Sequence, residues 1–351
     1  MNFASDNVTG VSPEIMAALA AANEGSSMPY GADAISQRLN AQFSELFETE
    51  VVVFPVATGS AANALALSVM SPPYGAIYCH PEAHINVDEC GAPELYTGGA
   101  KLVLLPGVNG KIDAATLEST VSQAGAGVVH SVQPAAVSLT QATEAGTVYS
   151  VTEVQAIAQV AHAHHLSLHM DGARFANAVV RLGCAPADIT WRAGVDVLSF
   201  GATKNGAMAA EAVVFFNSAL SETFGYRRKR GGHLFSKMRF LSAQLEAYIT
   251  NDLWLKNATH ANQMAAKLSH GLSTVPQVEL CYPVEANEIF VRFPEAIANG
   301  LLSQGFRFYH QPTPNHTITA RLVTAFNTRE ADVTAFVEAA HRYATPVEAL
   351  S

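Results

Sequence analysis

Charge is scarce in this chain of 351 residues: only 14% are Asp, Glu, Lys or Arg, against roughly a quarter in an average soluble domain. So thin a coating of charge leaves surface that another copy of the chain is expected to cover, and a homodimer or homotetramer follows as the expected state. The charge that is present has the wrong sign for polyanions. Thirty acidic against twenty basic residues give a net charge of −10, which disfavours nucleic acid and anionic lipid as partners, and the one basic run, Arg227 to Arg230, is too short to reverse this. Although 49% of residues are hydrophobic, no unbroken apolar stretch approaches the roughly 18–20 residues of a membrane helix, so a soluble protein is expected. Met1 to Asn7 has neither the basic segment nor the apolar core of a signal peptide, which makes a cytoplasmic location the expectation. Cysteine is rare: Cys79, Cys90, Cys184 and Cys281 form no Cys-x-x-Cys pair, which suits reduced thiols better than disulfides or zinc. A Gly-x-Gly-x-x-Gly turn is missing after the first strand, which counts against a nicotinamide dehydrogenase.

The length suits two domains. Short apolar or β-branched runs recur at 51–56, 76–80, 101–106, 127–133, 167–171, 197–200 and 212–216. Helical patterns alternate with them at 61–70, 113–122 and 152–164, the last with Thr152 as its expected N-cap. Strands apolar on both faces that alternate with helices predict a mainly parallel, seven-stranded sheet in an α/β domain. After Phe216 the pattern changes to helices over about 233–247 and 252–272. A small α+β unit follows, with strands at 288–293 and 317–326 and a final helix that Thr328 is expected to cap. Ser12 and Pro13 are expected to open the first helix as cap and first-turn proline. The expected division is 1–245, an N-terminal segment with the large domain, and 246–351, the small one.

Ligands of open parallel sheets sit beyond the carboxyl ends of the strands, and three such ends are unusual together. The run 51–56 leads into Ala57-Thr58-Gly59-Ser60-Ala61, a turn of small residues opening a helix, where backbone N–H groups and the Ser60 hydroxyl can close on a phosphate. The run 167–171 ends in Asp171-Gly172-Ala173-Arg174, for which an ion pair capping the strand is the plain structural alternative. The run 197–200 is followed by Gly201-Ala202-Thr203-Lys204, a lysine that in isolation would be an ordinary solvated loop residue. Pyridoxal 5'-phosphate needs this whole set: a lysine to form a Schiff base, a carboxylate to keep the pyridine nitrogen protonated, and a phosphate cradle. His84, just beyond the run 76–80, can stack on such a ring.

These segments resemble the threonine aldolases among the fold-type-I pyridoxal-phosphate enzymes, with the low-specificity L-threonine and phenylserine aldolases as the nearest likeness. The likeness runs from Ser5-Asp6-Asn7 to Arg321-Leu322-Val323-Thr324. It implies an aspartate-aminotransferase-like large domain and retro-aldol cleavage of L-threonine, L-allo-threonine or L-phenylserine to glycine and an aldehyde. It implies Lys204 as the cofactor-bound lysine, Asp171 on the pyridine nitrogen, Arg174 on the phenolic oxygen, Gly59 and Ser60 on phosphate, and His84 on the ring face. Ser5 and Arg321 would bind the substrate carboxylate. Tyr30, in Tyr30-Gly31-Ala32-Asp33, matches a segment that reaches the neighbouring subunit's site, placing active sites at the dimer interface. Where members carry Asn-Thr-His, this chain reads 138–143, with Gln141 in the histidine's place as a substrate contact; glutamine is no base, so the hydroxyl proton would pass to His84 or a water. Where members read Gly-Gly-Gly-Met-Arg, this chain has Gly231-Gly232-His233-Leu234-Phe235. Arg230 is then the expected further phosphate ligand, with Arg228 and Lys237 as alternatives.

Other readings compete. His162, His164, His165 and His169 look like a metal set, but they span a helix end, a turn and a strand and do not converge, so no metal is expected. β-Elimination or transamination on the same scaffold would yield different products, and a catalytically silent protein retaining the fold would lack the lysine-bound cofactor.

Overall fold

A computed structural model describes residues 1–344. The large sheet consists of β1 (Val52–Val56), β2 (Gly75–Cys79), β3 (Lys101–Leu104), β4 (Gln133–Thr140), β5 (Ser167–Gly172), β6 (Val197–Gly201) and β7 (Glu211–Phe215), in the order β1-β7-β6-β5-β4-β2-β3. All pairings are parallel except those of β7, which runs antiparallel to both β1 and β6. The central strands β6 and β7 are buried along their whole length, because helices cover both faces. On one face Phe43, Phe47, Phe175, Phe200, Tyr248 and Trp254 form the aromatic heart of the main core. On the other, the helix Gly59–Met70 buries Ala61 to Ser68 without interruption, and its small side chains let it lie close to the strands.

A second, antiparallel sheet is built from β8 (Glu279–Leu280), β9 (Glu288–Pro294), β10 (Tyr309–Thr313) and β11 (Thr317–Val323), in the order β10-β11-β9-β8. It has its own core, in which Phe3 packs edge-on against Phe336 beside Phe306. The chain's start therefore belongs physically to this second core. The helix Leu253–Leu272 joins the two: Leu253, Trp254 and Ala258 pack in the first core, and Met264, Ala265, Leu268 and Leu272 in the second. No helix among the described residues is long and apolar enough to cross a membrane.

Several local expectations are corrected. Residues 127–132 are turn rather than strand: Gly125 and Gly127 adopt positive φ, Val129 is 91% exposed, and the strand is the next segment, β4. The cap of the helix Val151–Ala163 is Ser150, whose hydroxyl and Glu153 form a reciprocal capping box, not Thr152. Thr328 accepts a hydrogen bond from the Ala325 N–H and does not cap the last helix, whose N-cap is Arg329. Ser12 occupies the N-cap before Pro13, yet its hydroxyl accepts from Asn257 Nδ2 rather than from the helix. The helix expected over 233–247 starts later, as Arg239–Ile249, and a separate short helix, Phe224–Arg230, carries the basic run before it.

Candidate active site

β1, β2, β4, β5 and β6 run in one direction and their carboxyl ends share an edge, where a cavity of about 250 Å³ is lined by residues from the turns that follow them. Gly59, Ser60, His84, Asp171, Arg174 and Lys204 all line it, so residues far apart in the chain meet there.

At one end lies the start of the helix Gly59–Met70. Thr58 caps it, its hydroxyl accepting from the Ala61 N–H at 3.1 Å, while the N–H groups of Gly59 and Ser60 belong to the first turn, which no helical carbonyl serves. A Cβ built on Gly59 would meet nothing within 4 Å, so space above these groups is open for an anion.

Asp171 ends β5 and is 4% exposed. Its Oδ2 accepts from Asn63 Nδ2 at 2.8 Å and its Oδ1 from the Ala173 N–H at 3.0 Å. Both donors are uncharged, so the carboxylate is oriented without being neutralised. Arg174, which the sequence offered as its ion-pair partner, turns elsewhere. Its Nε and Nη2 donate to Asp6 at 2.8 and 3.1 Å, and Nη1 lies 2.9 Å from Glu288 Oε2. Burial opposes the charge on Arg174, but Asp6 and Glu288 overcome it and hold the guanidinium pKa above its ordinary value. Burial likewise works against ionised Asp6; Arg174, Lys204 and the bond from Asn287 prevail and keep its pKa below the usual carboxylate range.

Lys204 follows β6 in the short turn Thr203–Asn205. Neighbours lock this turn: Asn205 Nδ2 donates to Tyr248 Oη at 2.7 Å and to the Trp254 carbonyl at 2.8 Å, and Asn257 Nδ2 donates to the Asn205 carbonyl at 2.9 Å. Glu211, also on the cavity wall, is fixed by the Ala202 N–H at 2.8 Å, and burial pushes its carboxyl up to about 7.

His84 Nδ1 lies 2.9 Å from Glu89 Oε1, an atom that also accepts from Asn63 Nδ2 at 2.9 Å. The hydrogen bond to Glu89 holds the imidazole pKa above its ordinary value, with the charge of Asp171 adding to it. One amide, Asn63, thus ties the carboxylate behind His84 to Asp171. Asn63, Glu89, Glu144, Glu211 and Asp6 went unnoticed in the sequence, where each reads as an ordinary polar residue; only burial distinguishes them.

The remaining expected residues lie outside the cavity lining. Gln141 is corrected: it is fully buried, its Nε2 donates to the Tyr149 carbonyl at 2.8 Å, and its Oε1 accepts from the Tyr149 N–H at 2.9 Å. Both ends of the amide are consumed in clamping the loop after β4, so it is not free to contact substrate; Thr140, Ala142 and Glu144 face the cavity instead. Ser5 accepts from the Asn7 N–H at 3.1 Å. Arg321, on β11, reaches towards the same segment, its Nη2 lying 3.4 Å from the Ala4 carbonyl. Its Nη1 is 3.9 Å from Glu288, and its Nε is buried without a partner. Tyr30 is 49% exposed, with the ammonium of Lys229 over its ring. Arg230 is exposed at a helix end, whereas Arg228 is buried, donating to the Pro55 carbonyl at 3.1 Å, and burial lowers its pKa to about 10. His162 and His164 pair separately with Asp196 and Glu118, and His169 sits in the core between Ser138 and Ser199. No cluster of three or more His, Cys, Asp or Glu side chains among the described residues could hold a metal.

A lysine, a buried carboxylate with uncharged donors and an open helix start around one cavity fit pyridoxal phosphate in donor set, and the fold and site together define a fold-type-I pyridoxal-phosphate enzyme. Comparison with known proteins narrows the class. Residues 2–296 match the model of the beta-eliminating lyase family. A low specificity L-threonine aldolase of Pseudomonas sp. (strain NCIMB 10558) is 44% identical over 331 residues, 94% of each chain. A second, of Pseudomonas aeruginosa, is 46% identical over 307 residues, 88% of each chain. A solved threonine aldolase structure from Leishmania major superposes with a TM-score of 0.92 at 30% identity, covering 98% of this chain and 99% of that one. The chain belongs to the beta-eliminating lyase family and, within it, groups with the threonine aldolases.

Proposed function

We propose that the protein cleaves L-β-hydroxy-α-amino acids of the threonine type into glycine and an aldehyde. The observation that carries this reading is the placement of Lys204, Asp171 and His84 around one cavity at the sheet edge. Pyridoxal phosphate, when bound, supplies a conjugated electron sink for the pair left on Cα when the Cα–Cβ bond breaks. Lys204 would hold the group through its side-chain amine. Asp171, oriented by Asn63 and the Ala173 N–H, would keep a proton on the ring nitrogen by opposite charge. Gly59 and Ser60 would hold the phosphate, Arg174 the phenolic oxygen, and His84 would cover the ring face.

Arg321 and Ser5 take the substrate carboxylate. The unpartnered Nε of Arg321 supports this, because a planar guanidinium fork can grip a carboxylate at two points. The sparse surface charge supports a homodimer or homotetramer in which Tyr30 and one of Arg228, Arg230 and Lys237 reach the neighbouring subunit's site. A cytoplasmic location and activity on L-phenylserine belong to the same reading.

The test incubates purified, cofactor-loaded protein with L-threonine, L-allo-threonine and L-phenylserine and measures glycine and aldehyde. Pyruvate and ammonia from serine, or an amino-group transfer product, in place of glycine would overturn it. Lys204→Ala should abolish both turnover and the borohydride-reducible cofactor adduct, and an adduct mapped to another lysine would refute the assignment.

A further inference from the structure

The reading above leaves the hydroxyl proton without an acceptor. The substrate's Oβ–H must lose its proton as Cα–Cβ breaks, and Gln141 is turned into the protein interior. His84 has its Nδ1 engaged by Glu89, which leaves only Nε2, and its ring is already assigned to the cofactor face. Another group on the cavity wall has what is needed.

Glu144 stands on the loop after β4, lines the cavity and is half-buried. Its Oε1 accepts from the His84 N–H at 2.7 Å and from the Thr140 hydroxyl at 3.0 Å. Its Oε2 is buried with no partner, and a buried carboxylate oxygen left empty is costly unless something arrives to use it. No cation faces it directly. The surrounding titratable groups are Asp171 and Arg174 after β5, His84 and Glu89 after β2, Cys79 at the end of β2, and Tyr149 on its own loop. The loop is held rigid. Gln141 clamps Tyr149 at two points, and Thr143 and Thr147 bond one another at 2.8 Å, with Thr147 donating to the Asn109 carbonyl at 2.7 Å. The glutamine in the histidine's sequence position thus braces the loop that presents a carboxylate.

We propose that Glu144 is the catalytic base that takes the β-hydroxyl proton through its free Oε2. The inference rests on the aldolase reading. The Oβ–H bond breaks as Oε2–H forms, the oxygen pair completes the aldehyde C=O, and the Cα–Cβ pair stays on Cα, delocalised into the bound cofactor. Cα takes up one proton to give glycine, Glu144 returns its own to solvent, and nothing is oxidised. Burial, with the charge of Asp171 adding to it, pushes the Glu144 carboxyl up to about 7, so its proton affinity suits transfer at neutral pH.

Glu144→Gln preserves shape and the acceptor for His84 N–H and Thr140. On holoenzyme, three quantities separate the readings: glycine and aldehyde release from L-threonine, the visible absorption of the bound cofactor, and exchange of the glycine α-proton in D₂O, which involves no hydroxyl. The variant should keep absorption and exchange within about threefold and lose cleavage by about a hundredfold or more, the usual worth of a general base. In cofactor-free protein, the infrared carbonyl band of a protonated carboxylic acid that titrates near neutral pH should weaken relative to wild type, with the part contributed by Glu211 remaining. Cleavage retained within tenfold, or exchange and cleavage falling together, overturns the proposal. If wild type exchanges glycine protons but releases no glycine from threonine, the aldolase reading itself fails, and this inference with it.

Discussion

Asp6→Asn should destabilise the protein although Asp6 lies 168 positions from its ion-pair partner, Arg174. Asp6 is 1% exposed and accepts two bonds from Arg174 and one from Asn287 at 3.1 Å. Removing one partner of a buried ion pair costs about 3–5 kcal/mol, mostly because the other charge stays behind. Here Arg174 keeps Glu288 at 2.9 Å, and asparagine still offers one acceptor oxygen, both of which reduce the loss. Against them, the new amide turns a donor towards either Arg174 or Asn287, which themselves donate. The expected cost is therefore about 3 kcal/mol at neutral pH, read as the difference in urea unfolding free energy between the two holoenzymes. The sign with pH follows from the depressed folded-state pKa of Asp6. Its contribution is complete above the unfolded value near 3.8 and fades as pH falls through the lower folded value, so the gap between the proteins should close only in acid. A gap under about 1 kcal/mol at pH 7, or one that widens as pH falls from 5 to 3, would refute the reasoning.

Asp171→Asn should leave the fold and Asn63's placement intact while lowering kcat by about a hundredfold or more, since an amide cannot hold the ring proton by charge; turnover within threefold of wild type would remove the electron-sink argument. Gly206→Ala should lower the thermal midpoint and the yield of lysine-bound cofactor together, because φ is +113° there and the new Cβ would stand 2.2 Å from Ser12 Oγ, inside the turn that carries Lys204; a variant matching wild type in both would show the turn to be softer than its hydrogen bonds indicate. Arg321→Lys should raise KM strongly with cofactor absorption unchanged, as an ammonium cannot copy the two-point grip, whereas a lower melting temperature with KM preserved would make Arg321 a structural partner of Glu288.

Those perturbations divide by how visible their targets are in sequence. Lys204, Asp171 and Gly59 stand directly after apolar runs, and a strand end is a local feature that composition marks. The same rule failed where two glycines follow a helix: Val128, Val129 and Val132 look more strand-like than Gln133-Pro134-Ala135-Ala136, yet the latter opens β4. Pro134 is admitted because it lies at the strand's beginning, beside the register shift at Ala76 and Ile77 of β2, and burial on both faces of β4 outweighs the weak local preference. The caps misread at Thr152 and Thr328 failed for a similar reason, since Ser150 and Arg329 lie within two residues and only hydrogen-bond geometry chooses between them.

The acidic residues of the site were illegible for a deeper reason. Nothing within a few positions of Glu89, Glu144 or Glu211 marks them as interior, and in an acidic chain each reads as one more solvated carboxylate. Their burial is created by the sheet order, which brings the turns after β2 and β4 and the start of β7 to one edge. Once there, they are not equivalent. Asp171 is oriented by an amide and a backbone N–H, and Glu211 receives the Ala202 N–H; Glu89 and Glu144 both line the cavity and each keep a buried Oε2 without a partner, but the other oxygen of Glu89 is tied to an imidazole whereas that of Glu144 accepts only from a backbone N–H and a hydroxyl. Placing several carboxyl groups at one low-dielectric edge costs stability unless some of them are neutral, and burial pushes Glu144 and Glu211 up to about 7 while Asp171 keeps uncharged donors that orient its carboxylate. The raised proton affinity of Glu144 suits it to accepting and releasing a proton, while the uncharged donors on Asp171 fix its direction towards the cavity.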